Sequence, residues 1–215
     1  MVTLSDVFPV FGLRISAGPL ELRAITDDDL AALAELAARG IHPRERMPFA
    51  LPWTDVPAEE FGPQFVRHHW RTRADFRKDA WALNLGVWHE GTPVGVQGIT
   101  TKNYLVTRTG ETGSWLGQEF QGRGIGTSMR QVICAFVFDH LDAVEITSGA
   151  WLDNPASLAV SRKVGYRENG RERKERRDGE VAVNQGLVLR PEDLVRGEHA
   201  LEVEGVEAFR TSIGL

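Results

Sequence analysis

The sequence predicts a mixed α/β fold, in which helices cover a sheet whose strands run in both directions. Segments that alternate between apolar and polar side chains, such as residues 20–25 and 144–150, are typical of half-buried strands. Residues 124–140 instead carry apolar side chains on one face of a helix. In chain order the pattern is a strand, two helices, three strands, a helix, a strand, a helix and two strands. It therefore predicts about seven strands and about four helices.

The first two predicted helices follow the first strand. Thr26 is followed by three aspartates, and a hydroxyl cap with early carboxylates is typical of a helix start. Gly40 predicts the end of that helix. A second helix is predicted over residues 59–78, where Phe65, His69 and Phe76 are spaced to share a face.

A proline-rich segment, residues 41–63, separates these helices. It holds five of the ten prolines, and each proline removes a backbone donor and restricts φ, so a long stiff loop is predicted. Such long loops in compact domains commonly serve a function. The apolar side chains of Met47, Phe49, Leu51 and Trp53 indicate the wall of a pocket.

The remaining elements follow from alternation and turn residues. Strands are predicted at 81–88, 94–100, 109–116, 144–150 and 181–189, with a short helix at 155–163. Glu90-Gly91 predicts a turn, and the charged run 171–180 predicts the exposed end of a hairpin. We expect one domain over residues 20–190, with an N-terminal extension at 1–19 and a C-terminal tail at 191–215.

The composition excludes several functional classes. The chain holds 25 basic against 30 acidic residues, a net charge of −5, which argues against a nucleic-acid-binding surface. Cys134 is the single cysteine, so no intrachain disulfide can form. The first ten residues lack the pattern of a signal peptide, and the longest wholly apolar run, 132–138, is too short to span a membrane. A cytoplasmic protein without a membrane partner is expected.

The most informative segment is residues 115–127, where a strand ends, three glycines alternate and the best helix begins. Glycines let a ligand approach the backbone, and a helix N-terminus favours phosphate. The segment lacks the Lys-Ser/Thr of a P-loop, and Thr127 breaks the dinucleotide pattern G-x-G-x-x-G. A tight turn without a ligand is the structural alternative.

The segment resembles the pyrophosphate loop of the GNAT N-acetyltransferases, whose pattern Gln/Arg-x-x-Gly-x-Gly/Ala is met by Gln121, Gly124 and Gly126. Residues 111–117 are similar to the fourth strand of the branch that contains the ribosomal-protein alanine acetyltransferases. Residues 154–157 and 163–166 are similar to two further motifs of that branch. The resemblance spans roughly residues 20–189. It implies a sheet in which two neighbouring strands splay apart: the strand that ends at Leu116 and the strand that spans residues 143–150.

The resemblance implies an acyl-CoA cosubstrate, acetyl-CoA by default, and no metal. The residues implied to bind it are Leu116, Gly117, Gln121, Gly122, Arg123, Gly124, Ile125, Gly126, Thr127, Asn154 and Ser157. A backbone N–H near Leu116 would polarise the thioester carbonyl. Asn154 before Pro155 is also an ordinary helix cap.

A carboxylate or histidine must accept a proton from the attacking amine. Glu111, on the strand that borders the implied site, is the first candidate, with His68, His69 and Asp55 as alternatives. Many relatives use a tyrosine acid at the position matched by Ser161. Ser157 is therefore the candidate to donate a hydrogen bond to the sulfur. The alternative is that its hydroxyl bonds the free N–H groups at the start of its own helix.

These observations predict an N-acyltransferase in which a primary amine of a small molecule or protein N-terminus attacks the thioester directly. Succinyl or another acyl group is the alternative donor. Trp53 and Trp115 are candidates to contact the acceptor. Two rival hypotheses are a non-catalytic acyl-CoA-binding module and a nucleotide-binding protein. The resemblance also allows a homodimer, since many members of the family dimerise.

Overall fold

The computed structural model describes residues 1–215, and a nine-stranded sheet forms its centre. The strands are β1 (Arg14–Ala17), β2 (Leu20–Ala24), β3 (Ala82–His89), β4 (Thr92–Thr101), β5 (Thr109–Leu116), β6 (Glu145–Trp151), β7 (Arg167–Arg177), β8 (Glu180–Leu189) and β9 (Glu202–Glu204). Their spatial order is β7-β8-β6-β5-β4-β3-β2-β1-β9. All neighbouring strands pair antiparallel except β5 and β6, which pair parallel. The mixed α/β class is confirmed, with nine strands where about seven were predicted.

Seven helices accompany the sheet. They are α1 (Leu4–Val7), α2 (Asp27–Arg39), α3 (Ala58–Ala74), α4 (Tyr104–Thr107), α5 (Ile125–Leu141), α6 (Pro155–Val164) and α7 (Val206–Ile213). The four predicted helices correspond to α2, α3, α5 and α6. Leu116 packs in the core cluster that contains α5, whereas its neighbour Trp115 packs against the cluster formed by α2 and α3. Because successive strand residues face opposite ways, these helices cover opposite faces of the sheet.

The segments predicted to flank the domain both extend the same sheet. Strand β1 lies within the predicted extension and pairs with β2, and β9 from the predicted tail pairs with β1. Helix α7 buries Phe209 and Ile213 completely in the main core. The sequence signal was weak because β1 and β9 have only four and three residues and their pairing depends on a distant partner.

Helix α3 begins at Ala58, one residue before its predicted start, and contains Pro63, so the proline-rich loop ends before residue 63. A proline inside a helix removes one intrahelical hydrogen bond. Phe61 and Phe65 on the same helix are buried against α2, and this apolar contact offsets the loss. The helix also ends at Ala74, four residues before its predicted end.

We expect Phe209→Ala to lower the free energy of unfolding by about 3–5 kcal/mol, because the ring fills a core site beside Trp81 and Phe76. Urea unfolding followed by circular dichroism would measure the loss. Glu207→Ala, at an exposed position of the same helix, is the matched control. A loss below about 1 kcal/mol for Phe209→Ala would show that α7 does not belong to the cooperative core.

Candidate active site

The sheet opens into a wedge between β5 and β6. These strands pair only from Thr109 to Glu111 and from Glu145 to Thr147. Beyond that point β5 continues to pair with β4 as far as Leu116, and β6 continues to pair with β8 as far as Trp151. The facing edges of β5 and β6 therefore carry backbone groups without a partner strand, which confirms the predicted splay.

The loop at the open end of the wedge forms an anion cradle. None of the five amide N–H groups of residues 122–126 donates a hydrogen bond within the protein. Gly122 and Gly124 have φ of +75° and +85°, and a Cβ added at either would meet nothing within 4 Å. Glycine is therefore needed here for backbone conformation and not for lack of space. Since Gly124 is the N-cap of α5, the helix dipole adds to the attraction for an anion.

Gln121 holds this loop against the rest of the site. Its Nε2 donates to the carbonyl oxygens of Leu116, at 3.0 Å, and Ile41, at 2.8 Å. The side chain thus joins the end of β5 to the segment that follows α2. Its predicted contact with the cosubstrate stays a prediction, but a loop-positioning role is visible in these bonds.

Leu116 and Gly117 present their backbones differently. The N–H of Gly117 donates to the carbonyl of Val94 on β4, at 2.9 Å. Because N–H directions alternate along a strand, the backbone groups of Leu116 point the other way, into the wedge. A Cβ on Gly117 would lie 2.5 Å from Leu36 Cδ1, so this glycine also permits close packing of α2. Leu116 is therefore the better placed of the two to meet a ligand.

At the far side of the wedge, Asn154 caps α6. Its Oδ1 accepts a hydrogen bond from the N–H of Ser157, at 3.1 Å. The Ser157 hydroxyl has no partner within the protein, and the residue is half-buried. Ser161, one turn further on the same helix, is fully buried and its Oγ also lacks a partner. Two unpartnered hydroxyls thus lie on one face of α6, of which only that of Ser157 is on a partly exposed residue.

Glu111 lies where the β5–β6 pairing ends, and its side chain is exposed. By strand alternation it shares a face with Trp115. On that face Trp53, from the loop before α3, lies 6.2 Å from Trp115 and 5.8 Å from Phe61 between ring centres. Trp53, Trp115 and Phe61 therefore pack in one aromatic cluster, and Glu111 lies on the same side of the sheet. The pocket wall stays a prediction.

The alternative proton acceptors fit less well. His69 is buried beside Phe65, and desolvation lowers its pKa to about 4, which makes it a weak base at neutral pH. Burial also lowers the pKa of His68. Asp55 is paired with Arg177, at 2.6 Å between carboxylate and Nε. Glu111, by contrast, is exposed and is not held in an ion pair, so it remains the first candidate.

The residue that sequence reasoning missed is Arg130, which is buried in α5 and bonds to side chains of three strands. The available signal was a lone basic residue between Met129 and the apolar run 132–138 of α5. Only the tertiary contacts show that it faces the sheet.

No group of three or more His, Cys, Asp and Glu side chains is arranged to hold a metal ion. No helix of the structure has the length and apolar character required to cross a membrane. The site is therefore described by its backbone cradle, its wedge and its polar side chains.

An opened sheet beside an anion cradle has the hydrogen-bond donors and the unpaired strand edges that suit an extended ligand carrying phosphate. Residues 19–167 match the model of the acetyltransferase (GNAT) domain family. Because this match covers more than half of the 215 residues, the chain belongs to the GNAT acetyltransferase family. The resemblance predicted from the glycine loop and its flanking motifs is confirmed at the level of the family.

Several relatives carry names from the ribosomal-protein branch. YdaF of Bacillus subtilis (strain 168), named as a ribosomal N-acetyltransferase, is 25% identical over 156 residues, which cover 72% of this chain and 81% of YdaF. The structure of Mycobacterium smegmatis RimJ in complex with CoA-disulfide superposes with a TM-score of 0.70 at 22% identity, over 86% of this chain and 88% of RimJ. The structure of spermidine N-acetyltransferase from Vibrio cholerae, in complex with CoA and spermine, superposes with a TM-score of 0.63 at 17% identity. The superposition covers 82% of this chain and 98% of that enzyme.

The buried His69 predicts a pH-dependent stability. Its pKa is about 4 in the folded chain and 6.5 when solvated, so between these values the unfolded chain binds the additional proton. The free energy of unfolding should then fall as the pH drops through this window, by about 2 kcal/mol from pH 7 to 5. Urea unfolding of wild type and His69→Leu at both values measures the effect. An equal pH dependence in the two proteins would contradict it.

Proposed function

We propose that this protein is an acyl-CoA-dependent N-acyltransferase, with acetyl the expected acyl group, that modifies a primary amine by direct attack. The observation that carries the proposal is the wedge between β5 and β6, which opens directly beside five amides without an acceptor. A phosphate group fits the amides and an extended chain fits the unpaired strand edges. CoA combines both features.

The cradle residues fit a pyrophosphate. The amides of residues 122–126, with Thr127 following in the first turn of α5, surround open space at Gly122 and Gly124. Arg123 is exposed beside them and would contribute a cation. Leu116 would bond the pantetheine through its wedge-facing backbone, and Asn154 would contribute from the opposite side. Gln121, Gly117, Ile125 and Gly126 would shape the loop.

The bound cosubstrate would supply an acyl group activated as a thioester. Glu111 would accept the proton of the amine, directly or through water, because an ammonium has no lone pair with which to attack. The N–H of Leu116 would stabilise the negative charge that develops on the carbonyl oxygen. Ser157 would donate a hydrogen bond to the departing sulfur. It would take the role of the tyrosine that many relatives carry at the position matched here by Ser161.

The acceptor is proposed to enter on the aromatic side of the sheet, beside Trp53 and Trp115. YdaF is named for ribosomal protein acetylation, and the Vibrio cholerae structure is named for spermidine acetylation. We therefore propose a protein N-terminus or a small primary amine as the acceptor class. Release of CoA thiol across a panel of peptides and polyamines tests this. Tight acyl-CoA binding without thiol release for any acceptor would favour a binding module.

A charge placed in the cradle should prevent binding of acyl-CoA. Asn and Asp both tolerate the positive φ of Gly124, so Gly124→Asn and Gly124→Asp form a matched pair that differs in one negative charge. We expect the dissociation constant for CoA, measured by titration calorimetry, to be at least tenfold weaker for Gly124→Asp than for Gly124→Asn. Equal affinities would place the pyrophosphate elsewhere.

Removing the proposed base should slow the chemical step. Glu111→Gln keeps the shape of the side chain but cannot accept a proton, so kcat should fall by about 10²–10⁴ while the KM for acyl-CoA changes little. Steady-state kinetics from pH 6 to 9 would also lose the acidic limb of the profile. Glu168→Gln, on exposed strand β7, is the control. If Glu111→Gln keeps kcat within twofold, the base is another group.

A further inference from the structure

Arg130 is a buried cation without an anionic partner. It is only 5% exposed, in the middle of α5, and it forms no ion pair. Its guanidinium donates to three neutral oxygens: Ser114 Oγ at 2.8 Å, Ser148 Oγ at 3.3 Å and Gln97 Oε1 at 3.3 Å. The hydrogen bonds are thus satisfied, but the positive charge is not neutralised.

This arrangement differs from that of Arg176 and Arg23, two other shielded arginines. The Arg176 side chain is 10% exposed and pairs with Asp153 and Glu180, and Arg23 pairs with Asp29. A cation transferred out of water loses its hydration, and only an anion close by recovers most of that free energy. A charge that is retained without such a partner indicates that an anion arrives from outside.

The position of Arg130 identifies where that anion would lie. Ser114 belongs to β5 and Ser148 to β6, and the pairing of these strands ends at Glu111 and Thr147. The guanidinium therefore bridges the two strands at the closed end of the wedge. The anion cradle lies at the opposite, open end. A CoA chain anchored in the cradle would extend toward Arg130 with its acyl group first.

We propose that this protein selects an acyl group that carries a second carboxylate, such as succinyl or malonyl, and that Arg130 recognises that carboxylate together with the hydroxyl of Ser114. The hydroxyl of Ser148 is already engaged, because it donates to the carbonyl of Thr112 at 3.1 Å. The inference rests on the proposed acyl-CoA function and specifies its donor. A planar guanidinium matches a carboxylate, and the Ser114 hydroxyl beside it can donate to the same group, whereas a methyl group would leave the charge unpaired.

The transfer reaction itself is unchanged. The amine nitrogen forms a bond to the thioester carbonyl carbon, the carbon–sulfur bond breaks, and the proton lost by nitrogen balances the released thiolate. The product is an amide that ends in a free carboxylate. The distal carboxylate takes no part in bond formation, so Arg130 is a specificity-determining residue.

The test compares succinyl-CoA with butyryl-CoA, which has a methyl group in place of the carboxylate, using thiol release with an acceptor amine that has no carboxylate. We expect kcat/KM for succinyl-CoA to exceed that for butyryl-CoA at least tenfold in the wild type. In Arg130→Met this ratio should fall to one or below, while Arg130→Lys should retain part of it. Arg162→Met, at an exposed site on α6, should keep the wild-type ratio.

The outcomes separate the two proposals. Thiol release from butyryl-CoA or acetyl-CoA that equals or exceeds release from succinyl-CoA would overturn the donor inference and leave the acyltransferase function standing. No release with any donor, and no CoA binding, would overturn the acyltransferase function itself. If Arg130 raises kcat/KM only for acceptors that carry a carboxylate, the anion it binds belongs to the acceptor, and the donor inference fails. Should Arg130→Met not fold, the wild-type comparison still decides.

Discussion

The active site depends on the early end of the pairing between β5 and β6. Each strand keeps its outer neighbour, so the sheet stays intact while two inner edges lose their partner. Backbone groups at such edges need hydrogen bonds from elsewhere. Side chains provide some of them: Gln121 donates to the carbonyl of Leu116, Ser148 to that of Thr112 and Thr112 to that of Thr147. The backbone groups left over would suit an extended ligand. The site is therefore a gap in the hydrogen bonding of the sheet rather than a cluster of reactive side chains.

Electrostatics divides the wedge into two ends. At the open end, amides and a helix terminus attract an anion without any buried charged side chain. At the closed end, the buried guanidinium of Arg130 provides a full positive charge among neutral hydroxyl and amide groups. Both features act locally, so the net charge of −5 does not oppose the proposed binding of an anionic ligand.

Sequence patterns predicted the elements that carry their own signals. The cap at Thr26, the turn at Glu90-Gly91 and the amphipathic helix starting after Gly124 all depend on residues a few positions apart. The elements that the patterns missed, β1, β9 and α7, are short and gain their stability from distant contacts such as Phe209 against Trp81. Pairing between residues 14 and 204 leaves no local trace.

The same division applies to the site. By itself the sequence determined the glycine loop, its place at the start of α5, and the motifs that indicate the GNAT family, because these are contiguous segments with fixed spacing. Only the tertiary structure decided that the N–H of Gly117 bonds to β4, that burial lowers the pKa of His69, and that Arg130 lies between Ser114 and Ser148 without an ion pair. Burial and charge compensation depend on what surrounds a residue in space, and those neighbours are far apart along the chain.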